Sequence, residues 1–236
     1  MHTSYLFDVD GTLTPPRQRM TTNCLWAFLD WSKDKTVFLV TGSDMPKLNE
    51  QLPHSVISRT SGIFTSMGNE LVINGTLIYE NEWKPPTDLL TKLISIRDKS
   101  PYANKRDNFL EYRVGMVNFS VAGRESNTEE RQSYYDWDRF HKERKSIAEE
   151  IEKSFPDIEA KLGGQISIDI QPRGNNKSLA SQWIRENIGD RMVFVGDKCE
   201  EGGNDYDIVQ DIVKHRDGEY YPVKNFLETF ELLPTI

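Results

Sequence analysis

Two aspartates one residue apart, in the run Phe7-Asp8-Val9-Asp10-Gly11-Thr12-Leu13-Thr14, stand where a carboxylate can attack phosphorus. Successive strand side chains point to opposite faces, so both acids reach one loop only if the chain turns, and Gly11 supplies the turn. An aspartate nucleophile forms an aspartyl-phosphate, but it must approach a dianion of like charge. A divalent cation removes that repulsion, and Mg2+ favours a few carboxylates combined with phosphate oxygens. A third carboxylate follows at Gly196-Asp197, after the apolar run Met192-Val193-Phe194-Val195, and Gly202-Gly203-Asn204-Asp205 adds an acid able to orient the metal's water shell. Thr41-Gly42-Ser43 offers hydroxyl and backbone donors to a phosphoryl group, and Lys177 would neutralise the remaining charge on Asp8 and the phosphate. Each part has a plainer reading: Asp-x-Asp-Gly-Thr fits a helix-capped turn or a calcium loop, and a lone lysine is usually a solvated surface charge. Their joint occurrence in this order points to phosphoryl transfer, with Asp8 as nucleophile.

A second set lies mid-chain. Arg113, Arg124 and Arg131 fall within 19 positions, on a strand-like segment, after a glycine, and in the first turns of a helix. Taken singly, each reads as surface charge. Guanidinium groups from three elements can, however, converge on one phosphate with donors matched to its oxygens. In Gly163-Gly164-Gln165-Ile166-Ser167-Ile168-Asp169-Ile170, Ser167 and Asp169 share one strand face, with isoleucines on the other. Short hydroxyl and carboxylate groups at that spacing suit a polyol, and solvent exposure of a polar face explains them equally well.

Elements that could position these groups are visible. Apolar runs at Tyr5 to Val9, Thr36 to Val40 and Met192 to Val195 each end in small or acidic residues, as strands buried on both faces of a parallel sheet do. Thr21 to Lys33 and Ser178 to Asn187 read as crossover helices, giving a Rossmann-like α/β layer whose ligands gather at the strands' carboxyl ends. Between Trp83-Lys84-Pro85-Pro86 and Pro172-Arg173-Gly174 the pattern changes. Alternating segments at Phe109 to Val121 and Gln165 to Gln171 flank a charged helical region, Thr128 to Phe155, which a Ser126–Glu129 capping box would start. The spacing predicts an α+β insert at 83–173 within a core made of 1–82 and 174–236. The 236 residues carry 29 basic and 37 acidic side chains, a formal charge of −8, which argues against nucleic acid or an anionic membrane as partner. Two cysteines, and no apolar stretch near the roughly 18 residues of a membrane span, read as a cytoplasmic protein.

The motifs, in this order, resemble those of the haloacid dehalogenase superfamily, and the insert's position resembles the cap of the group containing sugar-phosphate phosphatases, type IIB. Over almost the whole chain the sequence resembles the eukaryotic-type phosphomannomutases. The likeness runs through Leu6 to Thr14 with Arg17, Gly42-Ser43-Asp44, Phe109 to Arg131, Gly163 to Asp169, Lys177, and Gly196-Asp197-Lys198 with Gly202 to Asp205. It implies Asp8 as nucleophile, Asp10 as general acid/base, Lys177 with Thr41 or Ser43 as phosphate anchors, and Mg2+ held by Asp8, Asp10 and Asp197, with Asp205 behind them. It further implies that Arg113, Arg124 and Arg131 hold the non-reacting phosphate, that Ser167, Asp169 and Asn118 line the sugar site, and that Arg17 assists from the core. Asp211 matches a position linked to a second, structural cation, and Lys214 stands at a position contributing to that site. The implied reaction interconverts mannose 6-phosphate and mannose 1-phosphate, with a hexose 1,6-bisphosphate as intermediate and activator, in a cap-to-cap homodimer. Thr41 stands where the family usually has Gly and its related phosphatases have Thr, so a sugar-phosphate phosphatase is the alternative, with a non-catalytic sugar-phosphate-binding protein a further one. Mannose and glucose are not distinguished at this level.

Overall fold

The structure is a computed structural model, and it describes residues 2–236. In chain order its strands are β1 (Thr3–Phe7), β2 (Thr36–Val40), β3 (Gly62–Thr65), β4 (Glu70–Ile73), β5 (Thr76–Glu80), β6 (Leu110–Arg113), β7 (Met116–Phe119), β8 (Ile158–Gly163), β9 (Ser167–Pro172), β10 (Arg191–Gly196) and β11 (Gly218–Pro222). They form a seven-stranded sheet, β11-β10-β1-β2-β3-β4-β5, and a four-stranded sheet, β6-β7-β9-β8. The chain divides into two compact units: Met1–Glu80 with Asn175–Ile236, and Asn81–Gly174.

In the first unit the sheet is parallel from β11 through β3, and β4 and β5 add an antiparallel edge. Alternation along the central strands feeds two apolar layers. Phe7, Val37, Leu39 and Val195 face one way, with Phe28 of the helix Thr22–Trp31 packed against them. Leu6, Phe38, Val40 and Phe194 face the other, against Ala180 and Ile184 of the helix Ser178–Asn187. From β1 the chain steps to β2 on one side, while β10 lies on the other, in register at Phe7↔Leu39 and Phe7↔Val195. This reversal of direction leaves a crevice at the carboxyl ends of the three strands, where open α/β sheets bind ligands.

The second unit packs the helices Thr87–Lys99, Thr128–His141 and Glu143–Ser154 with the antiparallel sheet around Leu93, Val117, Phe119, Tyr134, Ile151 and Ile168. Two local expectations are corrected here. The capping box is Asn127 with Glu130, one residue beyond Ser126 with Glu129, whose serine hydroxyl donates instead to the Ala122 carbonyl. The charged region expected as one helix is two, because Lys142 takes a left-handed φ of +55° and Asp138 turns its carboxylate onto Arg144 of the next helix. The strand β8 had no counterpart in the sequence reading, although Ile158-Glu159-Ala160-Lys161-Leu162 alternates apolar and charged residues.

Candidate active site

Asp8 follows β1 directly and continues its ladder, its backbone N–H donating to the Val195 carbonyl at 3.0 Å. Beyond it the chain reverses tightly, with Gly11 N–H bonded to the Thr14 carbonyl at 2.8 Å and Gly11 at φ +90°. A side chain at Gly11 would collide with the Asp197 carboxylate, so glycine is required both by the turn and by the acid beside it. Asp197 extends from the end of β10, and Asp205 is fully buried at the start of the helix Tyr206–His215.

Carboxylate oxygens of Asp8, Asp197 and Asp205 lie within 4.8 Å of one another. Lys177, also fully buried, is ion-paired with Asp8 and with Asp205, the latter at 2.7 Å. One ammonium thus serves two buried carboxylates, and a third stands beside them. Burial pushes the Asp8 carboxyl up to about 7, against the pull of Lys177, and burial raises Asp197 as well. Burial also opposes the charge on Lys177, but Asp205 and Asp8 outweigh it and hold the ammonium above its ordinary value.

The residues fit a cation. Asp8 Oδ2 and Asp197 Oδ1 are buried without a hydrogen-bond partner, which for a carboxylate oxygen is costly unless a positive ligand arrives. Both Asp205 oxygens are already engaged, by Lys177 Nζ and by the Lys198 backbone N–H. The Asp10 carboxylate is not in this group. Its Oδ1 accepts two bonds, from the Arg17 backbone N–H and from the Gln51 side-chain amide, each at 2.7 Å, while Oδ2 faces Ser43 Oγ at 3.5 Å. Arg17 therefore reaches the site through its backbone, at φ +58°, and its exposed guanidinium makes no hydrogen bond among the described residues. Thr41 is buried and its hydroxyl accepts the Ser43 N–H at 3.0 Å, so its first service is to shape the loop that presents Ser43. Ser66 and Met67, both with positive φ, brace that loop from behind through N–H bonds to the Ser43 and Thr41 carbonyls.

In the second unit the three arginines are held by protein acceptors. Arg113 Nε donates to Glu111 Oε1 at 2.6 Å, and Arg124 reaches Glu111 Oε2 through Nε at 2.7 Å and Nη2 at 2.5 Å. Arg131 donates to the carbonyls of Ser126 and Arg124 at 2.8 and 2.7 Å. Glu111 thus joins Arg113 to Arg124, and Arg131 is tied to Arg124 through its carbonyl. Sheet register sets Glu111 opposite Asn118, and Asn118 opposite Asp169, whose carboxylate accepts from the Asn118 amide. Burial pushes Asp169 upward against that bond. Ser167 is buried and its hydroxyl donates to the Gly163 carbonyl at 2.9 Å. Glu111 was absent from the candidate residues, although its spacing two residues from Arg113 on a strand carried the signal. Gln51 carried none, being 41 residues from Asp10.

Asp211, where a second cation is expected, is paired within the protein. Its carboxylate accepts from Ser181 Oγ and Arg185 Nη2, both at 2.6 Å, and Arg185 Nε reaches Asp217 at 2.5 Å. A guanidinium already supplies the positive charge that an ion would bring, and Lys214 is exposed at the helix end.

A sequence model described as eukaryotic phosphomannomutase matches residues 26–218, leaving Asp8 and Asp10 to be judged on geometry. The phosphomannomutase of Dendrobium officinale is 36% identical over 214 residues, covering 87% of this chain and 84% of that protein. That of Saccharomyces cerevisiae is 33% identical over 218 residues, covering 89% and 85%. Among solved structures, a haloacid dehalogenase subclass IIB sugar phosphatase superposes with a TM-score of 0.61 at 16% identity, over 99% of this chain and 100% of that one, which identifies the fold. With a carboxylate–lysine site at the strand ends and a match across most of its length, the chain belongs to the eukaryotic phosphomannomutase family.

Proposed function

We propose that the protein interconverts mannose 6-phosphate and mannose 1-phosphate by way of phospho-Asp8 and a hexose 1,6-bisphosphate. Phospho-Asp8 gives its phosphoryl group to the free hydroxyl of a bound monophosphate. The bisphosphate then reverses its ends, and Asp8 takes the other phosphoryl group back. Asp10 accepts a proton from the attacking hydroxyl and returns one to the departing sugar oxygen, a service worth about 10²- to 10⁴-fold in rate. Lys177 offsets charge on Asp8 and on the phosphoryl group. Asp8 and Asp197 would hold a Mg2+, which when bound would supply further charge neutralisation between carboxylate and phosphoryl group.

The guanidinium set carries this reading beyond phosphate hydrolysis. A phosphatase needs one phosphate site, whereas a bisphosphate intermediate has a second phosphate to be held while the first reacts, a role this reading gives to Arg113, Arg124 and Arg131, which bonds through Glu111 and the Arg124 carbonyl link to one another. The same reading takes a hexose phosphate as the ligand, excludes nucleic acid and membrane as partners, expects a homodimer through the second unit, and places the protein in the cytoplasm. Two unpaired, buried cysteines accord with that compartment, and no helix among the described residues is long and apolar enough to cross a membrane.

The test is incubation with mannose 1-phosphate, Mg2+ and catalytic hexose 1,6-bisphosphate, following mannose 6-phosphate and inorganic phosphate together. Mannose 6-phosphate without phosphate release is expected. Phosphate release alone would make the protein a sugar-phosphate phosphatase, and binding without turnover would make it a sugar-phosphate-binding protein.

A further inference from the structure

Asp10 is held at one oxygen only. Arg17 N–H and Gln51 Nε2 both donate to Oδ1, while Oδ2 has, among the described residues, a single hydrogen-bond partner, the Ser43 hydroxyl at 3.5 Å. A carboxylate that exchanges protons with a substrate needs one oxygen free and the ring of possible rotations closed. This arrangement supplies both. Gln51 is itself well placed to impose it. The residue is 6% exposed, ends the helix Met45–Gln51, and accepts the Met20 N–H on its own carbonyl at 2.8 Å, while Arg19 Nε bonds the preceding Glu50 carbonyl at 3.2 Å. The helix end is thereby tied to the loop on which Asp10 and Arg17 sit, and the buried amide directs its donor at Asp10.

The geometry points to Gln51 as the positioning residue of the acid/base carboxylate, selecting Oδ2 of Asp10 as the oxygen that hands protons to and from the sugar. The inference rests on the proposed role of Asp10. Its chemistry is explicit. When a hexose phosphate phosphorylates Asp8, the bond from phosphorus to the sugar oxygen breaks, the bond from Asp8 to phosphorus forms, and the proton of Asp10 goes to the sugar oxygen. In the reverse direction Asp10 recovers that proton from the hydroxyl. Acetyl phosphate makes the same Asp8–phosphorus bond but expels acetate, which leaves as a stable anion and needs no proton. Gln51 therefore matters for sugar donors and not for acyl phosphate, a distinction that a purely structural tie between helix and loop would not produce.

The experiment compares wild type with Gln51→Met, which keeps length and bulk but has no donor. Two rates are measured in the full chain with Mg2+: turnover of mannose 1-phosphate with hexose 1,6-bisphosphate, and phosphorylation of Asp8 by acetyl phosphate. The expected result is a fall in kcat for the hexose of about 10- to 100-fold, the scale of a misplaced reacting group, with KM and the acetyl phosphate rate each within about twofold. An equal loss with both donors, or no loss with either, overturns the inference. Should Gln51→Met fail to fold by thermal melting, Gln51→Asn, whose amide is one methylene too short to reach, is read by the same pair of rates. If wild type only hydrolyses the hexose phosphate, the mutase reading falls, yet the comparison still decides on Gln51, since the sugar oxygen departs in hydrolysis as well.

Discussion

Lys177 has no exposed surface and stands between Asp8 and Asp205, so its side chain works under two constraints. It must keep its charge in a buried setting, and it must leave an oxygen of Asp8 free for chemistry. Asp205 meets the first by sharing the ammonium, and the unpartnered Asp8 Oδ2 shows the second. Removing the lysine leaves two buried carboxylates without their cation, so Lys177→Met is expected to cost about 3–5 kcal/mol in urea unfolding and to abolish turnover. Asp8→Asn removes a single charge and leaves Lys177 paired with Asp205. It is expected to remain folded, by circular dichroism and melting, while phosphoryl transfer falls roughly 10⁶-fold, the scale of losing a covalent catalyst. Retention of activity by that variant would remove Asp8 from the mechanism.

Among the elements, the hairpin of β6 and β7 shows how register makes a site. Gly115, at φ +70°, closes the turn, and the pairing that follows puts Glu111, Asn118 and Asp169 in one row across three strands. A slip of one residue would send that row into the apolar layer of Val117, Phe119 and Ile168, so burial of those residues fixes where the polar row points. The break between the helices Thr128–His141 and Glu143–Ser154 is maintained similarly by one pair. Arg144 is nearly buried, bonded to Asp138 through its backbone N–H at 2.9 Å and its Nε at 2.8 Å, with Nη1 on the Gly164 carbonyl at 3.2 Å. Asp138→Ala would leave that guanidinium buried and unpaired, and the expected loss is about 3 kcal/mol in urea unfolding. A change within about 0.5 kcal/mol would show that solvent reaches Arg144 and satisfies it.

At the scale of the whole molecule, a cation bound by the acidic cluster would couple to folding. Asp8 and Asp197 both carry carboxyls raised by burial, and each has an oxygen awaiting a partner. A cation binding only the folded state stabilises it by about 2.7 kcal/mol at a hundredfold excess over Kd. Thermal melting should therefore rise with Mg2+ and lose that rise in Asp197→Asn, while EDTA should stop turnover of the wild type without unfolding it. A melting temperature indifferent to Mg2+ would place the ion elsewhere.

Much of this was legible in the sequence, for a physical reason. In a parallel α/β layer the carboxyl ends of adjacent strands meet, so acids and hydroxyls that end the apolar runs at Phe7, Val40 and Val195 must converge however the helices pack. Amino-acid types and order thus pointed to Asp8, Lys177 and Asp197, which the fold brings into one cluster, and the inserted α+β segment followed from its different periodicity. Side-chain direction was decided only by the tertiary structure. It turned Asp10 away from the carboxylate cluster and onto Gln51, set Glu111 between two arginines, and gave Asp211 to Arg185. These contacts join residues on separate elements, or depend on which way a loop carboxylate rotates, and neither property has a period in the chain.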